Sequence, residues 1–582
     1  MKPNPFVIAL NILFWHGGLS PLLGAPTVLS VSPTPQRITA DKFDPIIIAF
    51  DSPMDPLTIN SGTISIFGHW SGVASGLFSV ENGGTQVRFV PTEPFATGEQ
   101  VLVSISRGVR DTLGAALTRG YAWNFWIRTE PGEMDLNEID RIGIRRPGEP
   151  HIQTYGAYGG DLNNDGWTDI TVVNEISHDI RVYLNDGTGV YDSSTVFPIP
   201  TGSYPSPNEG ADFNGDGIMD YAVGNAANDS LSIFIGNGTG GFLPVRNYRA
   251  AQAVRGVSIV DLEGDGDMDV VTANRSGNNI SMHANNGDGT FAPRVNMEAN
   301  GNQETACAVA DANGDGVLDL FVGAHSSSEM ILLLGNANGG FSFSSKVSAG
   351  GQPWMVAVGD VNGDEAVDVV SANSFTNNAC VIMGNGSGGL GAATTYPTGN
   401  FPLAIDLGDL DGDGDLDLVT SNYGSGTWTV YENNGSGVFT NPRTLQASRA
   451  GSCATLHDRD NDGDLDITGI DELDDLIFIF DNQPPTSVDE RVAAPAEFSL
   501  AQNYPNPFNP STRFRFTIPV TSQVTLTIVD QLGRTVAIVV NREYRPGSYE
   551  AAWDAEGVSG GVYYYYLRAG SYTATKKLLV LK

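Results

Sequence analysis

One acidic nonapeptide, D-x-(N/D/E)-x-D-x-x-x-D, constrains this chain more than any other feature. It begins at Asp161, Asp212, Asp261, Asp311, Asp360, Asp409 and Asp458, at intervals of 51, 49, 50, 49, 49 and 49 residues. Self-similarity at a fixed period marks a repeat architecture, whose units bury their apolar faces against one another. Each loop sits in the same frame. A short apolar strand leads in (Val257–Val260, Met355–Val358), and a second follows directly (Asp269–Ala273, Leu418–Thr420). A polar bend gives a third (Ile180–Leu184, Leu231–Ile235), then a glycine turn such as NDGTGVY at 185, NGTGGF at 237, NNGDGTF at 285 or NANGGF at 336. A fourth, weaker strand completes the unit. Four strands in about 49 residues make one β-propeller blade, and seven blades close a ring.

Both ends of the array fit closure. After Ile477–Phe480 the chain enters NQPPTSVDE, so the seventh unit lacks its own fourth strand. Arg141–Ile144 precedes the first loop where other units carry strand four, and is expected to add to the seventh blade as its outermost strand. That addition covers an edge that would otherwise invite association.

The loops have the donor pattern of a hard-cation site. Position one holds Asp161, Asp212, Asp261, Asp311, Asp360, Asp409 and Asp458; position three holds Asn163, Asn214, Glu263, Asn313, Asn362, Asp411 and Asp460. Position five holds Asp165, Asp216, Asp265, Asp315, Asp364, Asp413 and Asp462, and position nine Asp169, Asp220, Asp269, Asp319, Asp368, Asp417 and Asp466. Ca2+ takes six to eight oxygens, and these side chains with the position-seven carbonyl supply them, so up to one Ca2+ per blade is expected. A glycine at position six permits the tight turn; the fifth loop has Glu365 there and is expected to have the poorest geometry. An EF-hand would need an acid at position twelve, which instead holds Val172, Val223, Thr272, Val322, Ser371, Thr420 and Gly469. An Asp/Asn/Gly turn alone caps strands through its own hydrogen bonds. These seven loops, however, concentrate 28 of the 67 acidic residues, a repulsive arrangement unless cations or protons compensate.

These loops, with their N-G-x-G-x-F turns, resemble the FG-GAP/VCBS repeats of integrin-α propellers and bacterial surface proteins. The resemblance implies that the acidic loops share one face of the ring. It also implies that ligands meet the opposite face, formed by segments such as Asn174–Asp179, Asn274–Asn279, Asn373–Asn378 and Asn422–Thr427. Tyr204, Trp354, Phe401 and Tyr423 fall near those segments, where aromatic rings either pack at the blade mouth or stack on a sugar or protein ligand.

The flanks are read the same way. Residues 26–129 contain short alternating runs, including Ile46–Phe50 and Val101–Ile105, that suit a β-sandwich. The phrases FDSPMDPLTI and DTLGAALTRGYAWNF are similar to the SbsA-type Ig-like module of bacterial surfaces. At 497–582, FSLAQNYPNPFNPSTRFRFTIP and GGVYYYYLRAGSYTATKKLLVLK resemble the type A C-terminal sorting domain of type IX secretion, which implies contact with that machinery and passage across an outer membrane. The Tyr563–Tyr566 run is expected to alternate between strand faces. The N-terminus carries Lys2, an apolar stretch from Phe6 to Trp15 and small residues to Ala25, the pattern of a signal peptide.

The expected fold is therefore all-β. A seven-bladed β-propeller at 139–483 is flanked by an N-terminal Ig-like β-sandwich at 26–129 and a C-terminal Ig-like β-sandwich sorting domain at 497–582. A signal peptide occupies 1–25, and linkers occupy 130–138 and 484–496. A net charge of −36 argues against nucleic acid or an anionic membrane as partner. Cys307, Cys380 and Cys453 lack metal-ligand spacing and read as buried free thiols.

No nucleophile elbow or zinc-helix motif appears, and His16, His69, His151, His178, His283, His325 and His457 are scattered, so no catalytic residue is assigned. The expectation is a calcium-binding, secreted or surface-held module for a glycan or protein ligand. The alternatives are a polysaccharide lyase, which needs a basic cluster with a converging His/Tyr/Lys set, and an envelope spacer, which needs neither.

Overall fold

The structure, a computed structural model, describes residues 24–191, 193–336, 338–482, 498–508, 510–519, 522–544, 547–555, 558–570 and 572–581. The signal segment up to residue 23 and the linker at 484–496 lie outside the described residues. The chain divides into two compact units, 1–485 and 486–582. Apart from two short 3-10 turns, every described element is a strand.

The first unit holds a sandwich and a ring. In the sandwich, Val28–Ser32, Ile46–Phe50, Gln86–Pro91 and Gly76–Glu81 form one sheet; Gly72–Val73, Ile64–Gly68, Gln100–Ile105 and Tyr121–Trp126 form the other. Alternation does the folding here. Ile46, Ile48 and Phe50 are buried while their neighbours are half-exposed, and they meet Val87, Phe89, Val101, Val103 and Trp123 in one core.

The ring consists of seven four-stranded antiparallel sheets. In six of them the strands follow chain order, beginning with Thr154–Gly160, Pro205–Ala211, Val254–Val260, Glu304–Ala310, Pro353–Gly359 and Pro402–Gly408. The seventh runs Gly451–His457, Asp466–Asp471, Leu476–Asn482 and then Leu136–Gly143, a strand that enters from ahead of the ring. Each first strand packs against the first strands of both neighbouring sheets, and Gly451–His457 packs against Thr154–Gly160, so the circle is closed. Second strands such as Asp169–Asn174 are buried throughout, whereas fourth strands such as Arg246–Arg249 are largely exposed. The closing strand is held by more than its ladder: the Arg141 guanidinium sits 4.6 Å from the Phe478 ring centroid and also pairs with Glu138. First strands crowd near the axis. A Cβ at Gly256 would lie 2.9 Å from Ala306 Cα, so nothing larger than glycine fits there.

The sandwich sits on the ring. Asp161 N–H donates to Trp70 O (2.7 Å), Arg107 N–H to Gly264 O (2.8 Å), Ala122 N–H to Gly316 O (2.7 Å) and Glu130 N–H to Gly463 O (2.7 Å). Trp70 and Trp126 enter apolar clusters built mainly by the ring. Phe67, His69, Trp70, Leu102 and Trp126 join the seven first strands in lining a central cavity of about 320 Å3.

The second unit contains the sheets Ser499–Leu500, Ser511–Ile518, Gly547–Asp554 and Thr535–Tyr544, Ser522–Val529, Gly561–Ala569, Tyr572–Val580. The tyrosine run alternates: Tyr565 is fully buried, with its hydroxyl donating to Ala501 O (2.9 Å), whereas Tyr564 is exposed. The three cysteines are free and buried.

Two carboxyls, Glu209 and Asp406, line the central cavity from the second and sixth blades. Burial, then the proximity of Asp406, pushes Glu209 up to about 8. Its folded pKa lies above its unfolded value, so the stability it contributes is complete below pH 4.5 and is lost as pH rises through 8. Glu209→Gln is expected to raise the melting temperature at pH 9 and leave it unchanged at pH 4, as read by thermal denaturation across that range.

Candidate metal centres and the opposite ring face

Each acidic loop joins the first and second strands of its blade, and its aspartates first serve the loop itself. At position one, an Asp oxygen accepts the N–H of position six in all seven loops, at 2.7–3.2 Å. At position nine, one Asp oxygen accepts the N–H of position two at 2.7–3.3 Å. The other accepts an N–H sixteen residues on, at the end of the third strand, at 2.7–2.8 Å. Nothing in the ligand pattern signalled this second duty.

The loops are not equivalent. The sixth brings one oxygen each from Asp409, Asp411 and Asp413 within 4.8 Å of one another, and the seventh does the same with Asp458, Asp460 and Asp462. Among the described residues, buried oxygens in both lack a hydrogen-bond partner: Asp409 Oδ1 and Asp415 Oδ1 in the sixth, Asp460 Oδ1 and Asp464 Oδ1 in the seventh. An orphaned buried carboxylate oxygen is costly, and a cation is the partner that fits it. In the seventh loop Arg459 supplies part of that charge, reaching Asp460 at 2.9 Å and Asp481 at 2.6 Å. Among the described residues no guanidinium pairs with the sixth, and it is the clearer candidate centre.

In the first and second loops an amide occupies part of the same space, with Asn163 Nδ2 donating to Asp165 (3.1 Å) and Asn214 Nδ2 to Asp216 (2.9 Å). In the fourth, Arg119 of the sandwich pairs with Asp315 at 3.1 Å. Glu263 of the third loop hydrogen-bonds Asp269.

Burial, reinforced by neighbouring carboxylates, pushes these acids up. Asp417 rises to about 9, Asp415 to about 7 and Asp409 to about 6; Asp169 rises to about 8 and Asp220 to about 7. A divalent cation bound there would offset the burial and like-charge repulsion that raise these acids.

The fifth loop keeps the common turn despite its missing glycine. Glu365 N–H donates to Asp360 Oδ2 at 2.7 Å, as the glycines do elsewhere, and Glu365 adopts φ 66° where the sixth loop has Gly414 at φ 92°. The irregularity is stored as backbone strain, not as a lost contact.

The opposite face is built from the starts of first strands and the ends of second strands. Here the sequence-derived aromatics converge with residues it did not single out. His325 and Trp354 rings lie 5.5 Å apart, Trp354 and Phe401 6.3 Å, Phe375 and Phe401 5.2 Å, and Phe401 and Tyr423 6.1 Å, an arc across the fourth, fifth and sixth blades. Phe375 is 63% exposed. Tyr204 pairs instead with His178, at 5.8 Å, outside the arc. Arg275 and Arg255 lie over Trp354, their guanidinium carbons 4.9 and 5.9 Å from its ring centroid. The signal for these two was available: arginines at ring-strand ends are conspicuous in a chain with 31 basic residues against 67 acidic ones. Of the other histidines, His283 and His457 are buried and held neutral, at about 4 and about 3, and do not converge with the arc.

Comparison with known families fits this layout. Residues 161–223, 212–272, 261–322, 360–420 and 409–468 match the FG-GAP-like repeat; 24–126 match a bacterial Ig-like domain; 502–581 match a secretion system C-terminal sorting domain. The protein thus carries FG-GAP repeats between an Ig-like domain and a type IX sorting tail. That tail marks it for passage across an outer membrane, to the cell surface or the extracellular space, and implies interaction with the type IX machinery. Among the described residues no helix is long and apolar enough to cross a membrane.

Solved structures similar to it include an Agrocybe aegerita lectin specific for non-reducing terminal N-acetylglucosamine (18% identity, 68% of this chain and 94% of that one, TM-score 0.36). A functionally unknown protein from Desulfotomaculum acetoxidans (13%, 65% and 98%, 0.37) and a putative 6-phosphogluconolactonase from Bacteroides uniformis (12%, 66% and 98%, 0.39) are also similar. At such scores these likenesses leave function open. No curated protein matches the chain.

Replacing Glu365 by glycine is expected to stabilise the folded chain by about 1 kcal/mol, because a left-handed φ is strained only when a Cβ is present. Urea denaturation of Glu365→Gly against the parent checks this; a destabilised variant would show that the Glu365 side chain holds the loop in another way.

Proposed function

We propose that this exported protein is a non-catalytic binding module, stabilised by Ca2+ in its acidic loops, that meets an extracellular glycan through the arc-bearing face of its ring. The observation that carries this reading is the difference between the two faces. One is acidic and is occupied by the sandwich through Trp70, Arg107, Arg119, Ala122 and Glu130. The other presents a half-exposed aromatic arc with two guanidiniums and no domain of the first unit upon it. In this reading residues 139–483 bind, 26–129 brace the metal face, and 497–582 direct export.

A polysaccharide lyase is the competing reading, and the groups it requires do approach one another: Arg255, Arg275, Tyr155 and His325 all surround Trp354. Their protonation favours binding. Tyr155 accepts a hydrogen bond from Trp354 Nε1 at 2.6 Å, and burial pushes it up to about 12, far from a base usable near neutrality. A bare spacer gives no reason for an exposed ring at Phe375.

For the metal, individual affinities are taken as roughly 10⁻⁴–10⁻³ M, the range of extracellular calcium modules. A site saturated by tenfold excess then adds ~1.4 kcal/mol. Chelation is expected to lower the melting temperature, and added Ca2+ to restore it more fully than Mg2+. Asp411→Asn with Asp413→Asn should remove one site's share of that gain. An identical melt with and without chelator rejects the metal reading. For the ligand face, a glycan array probed with the full chain is expected to give hits that Phe375→Ala reduces at least fivefold. Hits untouched by that substitution would move the site elsewhere.

A further inference from the structure

We propose that the arc-bearing mouth selects acidic sugars: a uronate whose carboxylate is held by Arg275 beside Arg255, with its ring against Trp354 and the Phe375–Phe401 pair. This rests on the reading of that face as a glycan site and adds the charge of the ligand to it.

The argument is one of local charge. Arg255 is already matched: its Nη1 donates to Glu175 Oε1 at 3.0 Å and to Ser206 Oγ at 2.7 Å. The second oxygen of Glu175 accepts from Gln153 Nε2 at 2.7 Å, and the same amide donates to Glu472 Oε1 at 3.0 Å. Burial, then Glu175, pushes Glu472 up to about 8, so that it is mainly uncharged at neutral pH. Arg275 has no such match. Its Nε reaches only the neutral Gln303 Oε1, at 3.4 Å, and among the described residues no carboxylate pairs with it. It is half-buried, its pKa lowered by burial and by Arg255, yet guanidinium stays charged in proteins. In a chain of net charge −36, an unmatched guanidinium laid over Trp354 is a place where an anion completes the local electrostatics. A guanidinium fork matches a carboxylate in two-point geometry.

The platform points to a sugar. Phe401 stands edge to face with Phe375 and Tyr423 and tilted against Trp354, and the four rings offer an apolar surface beside the charge. A pyranose carrying a carboxylate has both parts at that spacing: C–H bonds for the rings and an anion for the fork. An acidic peptide uses the fork but leaves the arc largely uncovered.

Isothermal titration of the full chain with hexagalacturonate, its fully methyl-esterified form and a hexaglutamate peptide tests this. The acid sugar is expected to bind at least tenfold more tightly than its ester. Arg275→Gln should abolish that preference, Arg275→Lys should retain part of it, and Phe375→Ala should weaken acid and ester alike. Thermal melts confirm that each variant is folded, and the lysine variant separates lost charge from lost structure. Equal affinity for acid and ester, or a preference that survives Arg275→Gln, overturns the acidic assignment while leaving the glycan face intact if Phe375→Ala still weakens both. Hexaglutamate binding as tightly as hexagalacturonate overturns the sugar assignment. Binding of neither saccharide overturns the inference outright, and the glycan array then decides the broader reading independently.

Discussion

The ring depends on a hydrogen bond that crosses from each blade to the next. At position two of every acidic loop the N–H is held by the blade's own position-nine aspartate, and the carbonyl faces the following blade. Gly240, Gly289, Gly339 and Gly388 N–H groups donate to Leu162, Phe213, Leu262 and Ala312 O at 2.9–3.2 Å. Asn433 and Asn482 side chains donate to Val361 and Leu410 O at 2.8 and 2.7 Å. The circle closes when Asn185 of the first blade donates to Arg459 O of the seventh at 2.9 Å. The acidic loop and the glycine turn, which look like two separate motifs in the sequence, are the two halves of one inter-blade clasp. Buried peptide groups must find partners, and here each blade supplies its neighbour's.

That clasp makes clear why the loops carry so much charge at such small distances. The aspartate at position nine must be buried to reach both N–H groups, and burial raises the cost of its ionisation. Protons or a cation would each offset that cost, so the clasp and any metal site draw on the same side chains. The sandwich is coupled to this arrangement because it hydrogen-bonds loop carbonyls: Gly264 O, Gly316 O, Gly463 O and, through Gly132 N–H, Asp411 O. Whatever stiffens the loops stiffens the seat beneath the sandwich and one end of the central cavity. The arc-bearing face is the end left free, and a rigid ring is what keeps aromatic side groups from three different blades at stacking distance.

Much of this was legible in the sequence because it repeats. The acidic pattern located every loop, the turn motif the third-strand ends of the first four units, and the truncated seventh unit pointed to a strand from outside, where Leu136–Gly143 lies. The strand near Arg141–Ile144 begins earlier than its apolar residues suggest because exposed Asn137 and Glu138 pair through backbone alone. Features that occur once were harder. Arg275 and Arg255 carry no periodic signal, and Phe375 sits in a polar bend where a lone aromatic looks incidental. The second role of the position-nine aspartates was hidden because the same residue type satisfies a metal pattern and a backbone cap equally well. The seating of the sandwich on the acidic face was invisible, since its backbone partners lie far apart along the chain, as with Ala122 and Gly316.

The departures from the repeat fall where the ring has a special task. Position two of an acidic loop is Leu, Phe, Ala or Val except in the seventh blade, where it is Arg459, at the junction that joins the two ends of the array. Its backbone carbonyl accepts Asn185, its Nη1 donates to Gly189 O at 2.8 Å, and its Nη2 pairs with Asp460 and Asp481. One residue thus adds a guanidinium clasp to the backbone one, at the only seam where the outermost strand is borrowed from the other end of the array. The same guanidinium sits among the carboxylates of Asp466, Asp460 and Asp481 and supplies internally some of the charge that a cation would bring. Closure and any cation would compete for that loop, and closure has the permanent partner. The sixth loop, with an equally acidic sequence and no seam to close, brings three carboxylates within 4.8 Å of one another. A repeat this regular therefore encodes unequal sites, and the inequality follows from where each blade stands in the circle.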